Sequence, residues 1–339
     1  MTRTQRSSRR AGYFCYATVL MLASSCGSEG DNNSGPVGNE AQDTVETGMP
    51  TVDDPAATET AVDITNAILA GVSSDCADYA DTYVSTVTDV NRNMGFGGDL
   101  RVTITDDHCV FRSNAIPNHD FNDGDHSFVT ATTTQSVTYQ VPRTPVVAGA
   151  PTALSLRTDN AIFLNGVKLD LLAAGCFGVG DGRIGCFEMG APFRYDPMAA
   201  TANFGTDSHN AHTQPDGTYH YHGNPNAMFA KDGSASPVIG FAADGFPVYG
   251  TYIRDGDGVR KVTSSYAVRS GSRQAARGID PGGPFDGTFV DDYEYIEGSG
   301  DLDACNGMTV EGAYGYYVTD AYPWVLGCLK GTPDPSFDK

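Results

Sequence analysis

Histidine is scarce and unevenly placed in this chain of 339 residues: His108, His119 and His126 fall in one stretch, and His209, His212, His220 and His222 in another. Imidazole is a favoured ligand for zinc and copper and a ready acid or base near neutral pH. In the run DGTYHYHGNP, His220 and His222 are separated only by Tyr221. If this segment is extended, alternate side chains point to opposite faces. Both imidazoles then share one face, and Tyr219 and Tyr221 share the other. Two imidazoles so spaced can hold a small cation, with a third ligand from an adjoining loop. The preceding FGTDSHNAHTQ offers Asp207, His209 and His212. Pro215-Asp216-Gly217 reads as a turn that folds 207–213 back beside 219–223. The tyrosines would pack inward and fix the strand. Two plainer uses compete: polar side chains on a wet strand face, and acid–base or hydrogen-bonding work without metal.

Other residues suggest weaker chemistry. A metal-dependent hydrolase needs a base beside its cation, and Glu188 or Asp207 could serve, with Arg194 steadying an anionic substrate. Two acidic turns could bind calcium through oxygen: RDGDGV with Asp255 and Asp257, and GDLDACNG with Asp301, Asp303 and Asn306. Neither fits the full EF-hand loop. GxSxG, HExxH, Walker and dinucleotide fingerprints are all missing from the chain.

The elements that must position these residues read as short alternating segments: RVTITDDHCVFRS, HSFVTATTTQSVTYQV, AIFLNGVKLD, FAADGFPVYGTYI and YGYYVTDAYPWVLG. NG, DG and GG turns lie among them. The expected fold is mainly β: a disulfide-linked, antiparallel, sandwich-like domain, or an α+β domain, with long loops. One helix is expected, over residues 64–84. The folded part spans 61–339, with a subdivision near 141–154 as one option. Eight cysteines are present. Cys15 and Cys26 lie near the N-terminus, and an even remainder of six in an exported chain reads as disulfides. Local spacing favours Cys76–Cys109, Cys176–Cys186 and Cys305–Cys328.

Residues 1–25 look like an export signal, with four arginines, then the apolar run AGYFCYATVLMLAS. Small residues before Cys26 resemble a bacterial lipoprotein processing site, so Cys26 is a candidate for lipidation. Residues 26–60 are rich in Gly, Pro, Asn, Asp, Glu and Thr, and read as a disordered acidic tether. These features imply an outer-membrane or cell-surface lipoprotein, or a periplasmic or secreted protein. The formal charge is −21; without residues 1–25, 17 basic and 42 acidic residues remain, which is −25. Such a field repels nucleic acid and attracts metal cations.

GTYHYHG, SPVIGFAADGFPVYG and DLDACNG…YGYYVTDAYPWVLGC together resemble the YHYH-domain family of exported proteins. SNAIPNHDF and AIFLNGVKLD resemble its upstream elements, so the likeness covers roughly 100–330. It implies exposure outside the cell, and it makes His119 a remote ligand candidate. Many members carry a DxCxGH-like element where this chain has FGTDSHNAH, without the cysteine. The resemblance supplies no reaction. The leading expectation is a metal-binding surface protein that takes copper or zinc at His220 and His222 with His209, His212 or His119. A metal-dependent hydrolase or oxidase is the first alternative. A metal-free carbohydrate- or peptide-binding module, using the many aromatic residues, is the second.

Overall fold

The computed structural model describes residues 60–202, 204–256 and 258–339. The signal, Cys26, the tether up to residue 59, and Asp257 lie outside them. Among the described residues the regular secondary structure is almost wholly β-strand, joined by long loops, with only three short 3-10 helices. They belong to one compact unit. No helix among them is long and apolar enough to cross a membrane.

A five-stranded sheet runs Val62–Asp63, Thr82–Asp89, Met94–Ile104, His108–Ser113 and Val137–Pro142, in that spatial order. TYVSTVTD explains the second strand: β-branched and aromatic residues alternate, and Ser85, Val87 and Asp89 turn inward. An eight-stranded sheet runs in space through Gly307–Val310, Ala313–Tyr317, Pro247–Tyr249, Val238–Ala242, Ala161–Phe163, Lys168–Leu169, Tyr219–Tyr221 and Ala211–Thr213. The two hairpins expected at Asn165-Gly166 and Asp244-Gly245 both form. This sheet is mixed, not purely antiparallel. Lys168–Leu169 runs parallel to Tyr219–Tyr221, and Pro247–Tyr249 parallel to Ala313–Tyr317.

The sheets share one hydrophobic core, in which Leu100, Phe111 and Val141 meet Phe163, Tyr219 and Phe241. Phe111 and Phe241 touch across it, with ring centroids 6.2 Å apart. Each such buried apolar side chain contributes about 1.5–3 kcal/mol. The sheets do not close into a sandwich or barrel. Phe246, Tyr316 and Tyr317 of the aromatic-rich stretches are buried in the core, and Tyr249, Tyr314 and Trp324 are half-buried and pack against it.

The helix expected over 64–84 does not form. Its residues give a 3-10 turn, Cys76–Tyr79, and the first three residues of the Thr82–Asp89 strand. Cys76 is bonded to Cys109 in the sheet, and the Asp75 side chain caps the turn by accepting from the Ala77 N–H. A cross-link and a β-branched run outweigh the apolar spacing that suggested a helix. The other disulfides are Cys176–Cys186 and Cys305–Cys328, so all three pairs favoured by spacing are present.

Candidate metal centre

The five-residue turn 214–218 brings two strands together. Gln214 and Thr218 close it through the Gln214 N–H on the Thr218 carbonyl, 2.9 Å, and Asp216 accepts from the Thr218 N–H, 2.9 Å. Gly217 has φ +85°, and a β-carbon there would lie 2.4 Å from Thr133 Oγ1 and 2.8 Å from the Ala131 carbonyl. Only glycine fits that backbone and that space. The register then sets His212 directly opposite His220 and Ala211 opposite Tyr221.

Strand alternation divides the tetrad as expected. Tyr219 and Tyr221 are fully buried on the core side. The Tyr219 hydroxyl donates to Asp207 Oδ2 at 2.9 Å. The Tyr221 hydroxyl bonds His119 Nε2 at 2.6 Å and accepts from Asn165 Nδ2 at 3.0 Å. These bonds pin the strand rigidly from behind.

On the opposite face the imidazoles converge. His222 Nε2 lies 3.0 Å from His220 Nε2 and 3.0 Å from His212 Nε2. All three ligand nitrogens lie within 4.8 Å of one another. Each Nδ1 faces a carbonyl oxygen: His212 that of Phe204 at 2.8 Å, His220 that of Thr218 at 3.3 Å, His222 that of Leu171 at 3.4 Å. A carbonyl only accepts, so the proton of each neutral ring belongs on Nδ1. Every Nε2 then presents a lone pair to the same point. Burial holds all three rings below the usual histidine range, and mutual repulsion lowers His220 and His222 further. The cluster is neutral at pH 7, and three lone pairs at this separation repel unless a cation lies among them. The edge of a zinc–imidazole tetrahedron, about 3.3 Å from bonds of about 2.05 Å, is close to the two 3.0 Å spacings, and the His212–His220 pair lies within 4.8 Å. The residues therefore fit a divalent metal ion.

A cavity of about 480 Å³ opens beside the cluster, and His212, His220 and His222 all line it. Leu156, Leu172, Phe187 and Phe204 make apolar walls; Asp170, Gln214 and Lys339 are polar. Three candidate ligands facing a cavity leave room for a further, non-protein ligand on a bound ion.

The other expected ligands lie elsewhere. His119 is on the tyrosine side, with Nδ1 on the Asp120 carbonyl and Nε2 on Tyr221. Burial first, and His209 second, push its pKa down to about 3. His209 packs against His119 with ring centroids 3.9 Å apart and planes tilted by 39°, and its buried Nδ1 has no partner. Asp207 accepts the N–H groups of Asn122, His209 and Ala211 besides the Tyr219 hydroxyl, so it fixes the loop entering the hairpin and is no base for the cluster. Arg194 donates to the carbonyls of Ala173, Cys186 and Glu188, clasping the Cys176–Cys186 loop. Glu188 is exposed and pairs with Arg277 at 2.6 Å. None of these three expected catalytic residues lines the cavity.

Among the described residues of the acidic turns, the side chains are engaged within the protein, and Asp257 lies outside the described residues. Asp255 and Asp301 meet on Arg260. Asp303 binds Lys330 and the N–H groups of Cys305 and Gly307. Asn306 is buried and donates to the carbonyls of Tyr317 and Val325. Asp75, Cys76 and Cys109 also stand close together, but the two sulfurs are joined in a disulfide and offer no thiolate.

Sequence reasoning passed over Lys168 and Asp170. The parallel register sets Lys168 beside His220, so the KLD tripeptide directs Lys168 and Asp170 to the histidine face and Leu169 to the core. The signal was the same two-residue alternation, with Leu169 between two charged residues. The partner strand, some fifty residues away, was not legible.

The YHYH protein family matches residues 138–331, which include the whole cluster and Asp170. His119 and the Cys76–Cys109 bridge lie outside that span. No curated protein and no solved structure matches the chain.

Proposed function

The chain belongs to the YHYH protein family, and on that premise we propose that it binds one copper or zinc ion through His212, His220 and His222 on the outside of the cell. The carrying observation is the convergence of three Nε2 lone pairs whose Nδ1 atoms are all turned to carbonyls. Imidazole-only coordination favours these metals over calcium or magnesium. Export, with lipid attachment at Cys26, is read from the N-terminal sequence and completes the proposal. Untagged protein after dialysis is expected to retain about one copper or zinc by elemental analysis, a single three-imidazole site holding one ion. The double substitution His220→Ala, His222→Ala should remove it and leave the thermal transition in place. Unchanged metal content in the double variant would overturn the site.

A second reading, metal-dependent hydrolysis, is favoured by one observation, the cavity that the three ligands face. A storage site fills its coordination with side chains; a catalytic site keeps a position for water. X-ray absorption on the zinc form should find three imidazoles and one light oxygen ligand. A fourth protein ligand would favour storage.

A further inference from the structure

Three neighbouring strands present a single face: His212 on one, His220 and His222 on the next, Lys168 on the third, with Asp170 just beyond its end. Asp170 is 4% exposed and lines the cavity with the histidines. Its amide donates to the Tyr221 carbonyl at 3.0 Å, continuing the parallel ladder toward His222. Its Oδ2 is engaged by Gln214 Nε2 at 2.8 Å and by Lys339 Nζ. Its Oδ1 has no partner. Among the described residues with such an orphaned buried side-chain atom, Asp170 is the one that lines this cavity.

The charges around it are arranged, not accidental. Lys168 and Lys339 both pair with Asp159, at 3.0 and 3.2 Å, and Lys339 bridges on to Asp170. The Tyr139 hydroxyl donates to Asp159. Two lysines and two aspartates thus balance, while Asp216 at the cavity edge is spent on its own turn. This network holds one oxygen of Asp170 and leaves the other unbonded. A buried carboxylate oxygen without a donor costs about 1–3 kcal/mol, more when charged, and calls for a partner: a water, an ion or a reacting group.

Resting on the metal reading above, we propose that Asp170 is the proton acceptor of this site. With a cation held by the three histidines, water there would give up one proton to Asp170 Oδ1, the O–H electron pair staying on the water oxygen, and Asp170 would pass that proton to solvent and return to the carboxylate, so atoms and charge balance. The same cavity sets the class of compound that meets that oxygen. Leu156, Leu172, Ile184, Phe187 and Phe204 call for a small molecule with an aliphatic or aromatic body.

The test uses the full chain loaded with cobalt(II), whose visible spectrum reports ionisation of bound water. The wild type and Asp170→Asn should each hold about one cobalt, as the three-imidazole site predicts. The pH midpoint of the spectral change should fall in Asp170→Asn by about one unit, a tenfold change, because the amide, unlike the carboxylate that Asp170 regains once it has passed the proton to solvent, does not oppose negative charge on the water oxygen. Asp170→Glu, which keeps the carboxylate, should stay near the wild-type midpoint. Equal cobalt with an unmoved midpoint overturns the role of Asp170 and leaves the metal site standing. Loss of cobalt in a folded Asp170→Asn also overturns it, since Asp170 would then be a ligand. If Asp170→Asn does not fold, the Asp170→Glu midpoint decides: a shift as large as that predicted for the asparagine counts against the proposal. No cobalt in the wild type means that the metal reading itself has failed.

Discussion

Asp196 shows how far one buried carboxylate can depart from its ordinary behaviour. Burial raises its pKa to about 6, and hydrogen bonds from the Met198 N–H, Trp324 Nε1 and the Tyr293 hydroxyl offset only part of that cost. The folded chain therefore holds this proton more tightly than the unfolded chain does. The resulting stabilisation is complete below the unfolded value near pH 4 and is lost as the pH rises through about 6. Trp324 is the chain's single tryptophan, and its indole nitrogen lies 3.1 Å from both Asp196 oxygens. Its fluorescence should change with a midpoint of about 6, and Asp196→Asn should flatten that titration. A wild-type emission that does not vary between pH 4 and 8 would contradict the assignment. At this scale the site was only partly legible. His220 and His222 could be assigned to one face by alternation alone, and the turn pointed to His209 or His212. His209 was an equal candidate because residues 209 and 212 both precede the turn. Only the register, His212 opposite His220, separates them.

At the scale of elements, the hairpin from Ala211 to His222 carries all three ligands, so its turn controls the site. Gly217→Ala forces a side chain into positive φ and against Thr133 and Ala131. Such strain costs about 1–3 kcal/mol. Gly233 has a nearly identical φ, +86°, but open space around its β position. Gly233→Ala should therefore lower the melting temperature less than Gly217→Ala. Gly217→Ala alone should also weaken metal binding, because His212 loses its place opposite His220. Equal melting shifts and equal metal affinity in the two variants would remove the turn from the argument. The elements were legible where a turn lay between consecutive strands, as in AIFLNGVKLD and FAADGFPVYG. They were not legible where partners are far apart. No local pattern announces that Lys168–Leu169 lies parallel to Tyr219–Tyr221, and so Asp170 went unnoticed. The misread helix has the same origin. Apolar spacing over 64–84 is local, whereas the Cys76–Cys109 bond and the pairing of Thr82–Asp89 with Met94–Ile104 are not.

The whole molecule acts on its ligand through charge. With 42 acidic and 21 basic residues, it carries a strong net negative charge. Fields of this kind raise the encounter rate of an oppositely charged ion by about 10- to 1,000-fold, and salt screens them over about 8–10 Å at physiological strength. The field affects arrival more than residence. Once bound, the ion is held by neutral imidazoles, two of them nearly buried, with short-range bonds that distant charges hardly alter. Raising the salt from about 20 to about 500 mM should therefore slow zinc association by about tenfold, while dissociation into excess chelator changes little. Stopped-flow mixing with a zinc-sensitive dye measures both rates. The His220→Ala, His222→Ala variant supplies the background, because surface carboxylates alone would bind weakly and release at once. If association at the histidine site is as fast in high salt as in low, the acidic surface plays no part in delivering the ion. Its abundance of aspartate would then need another explanation, such as solubility.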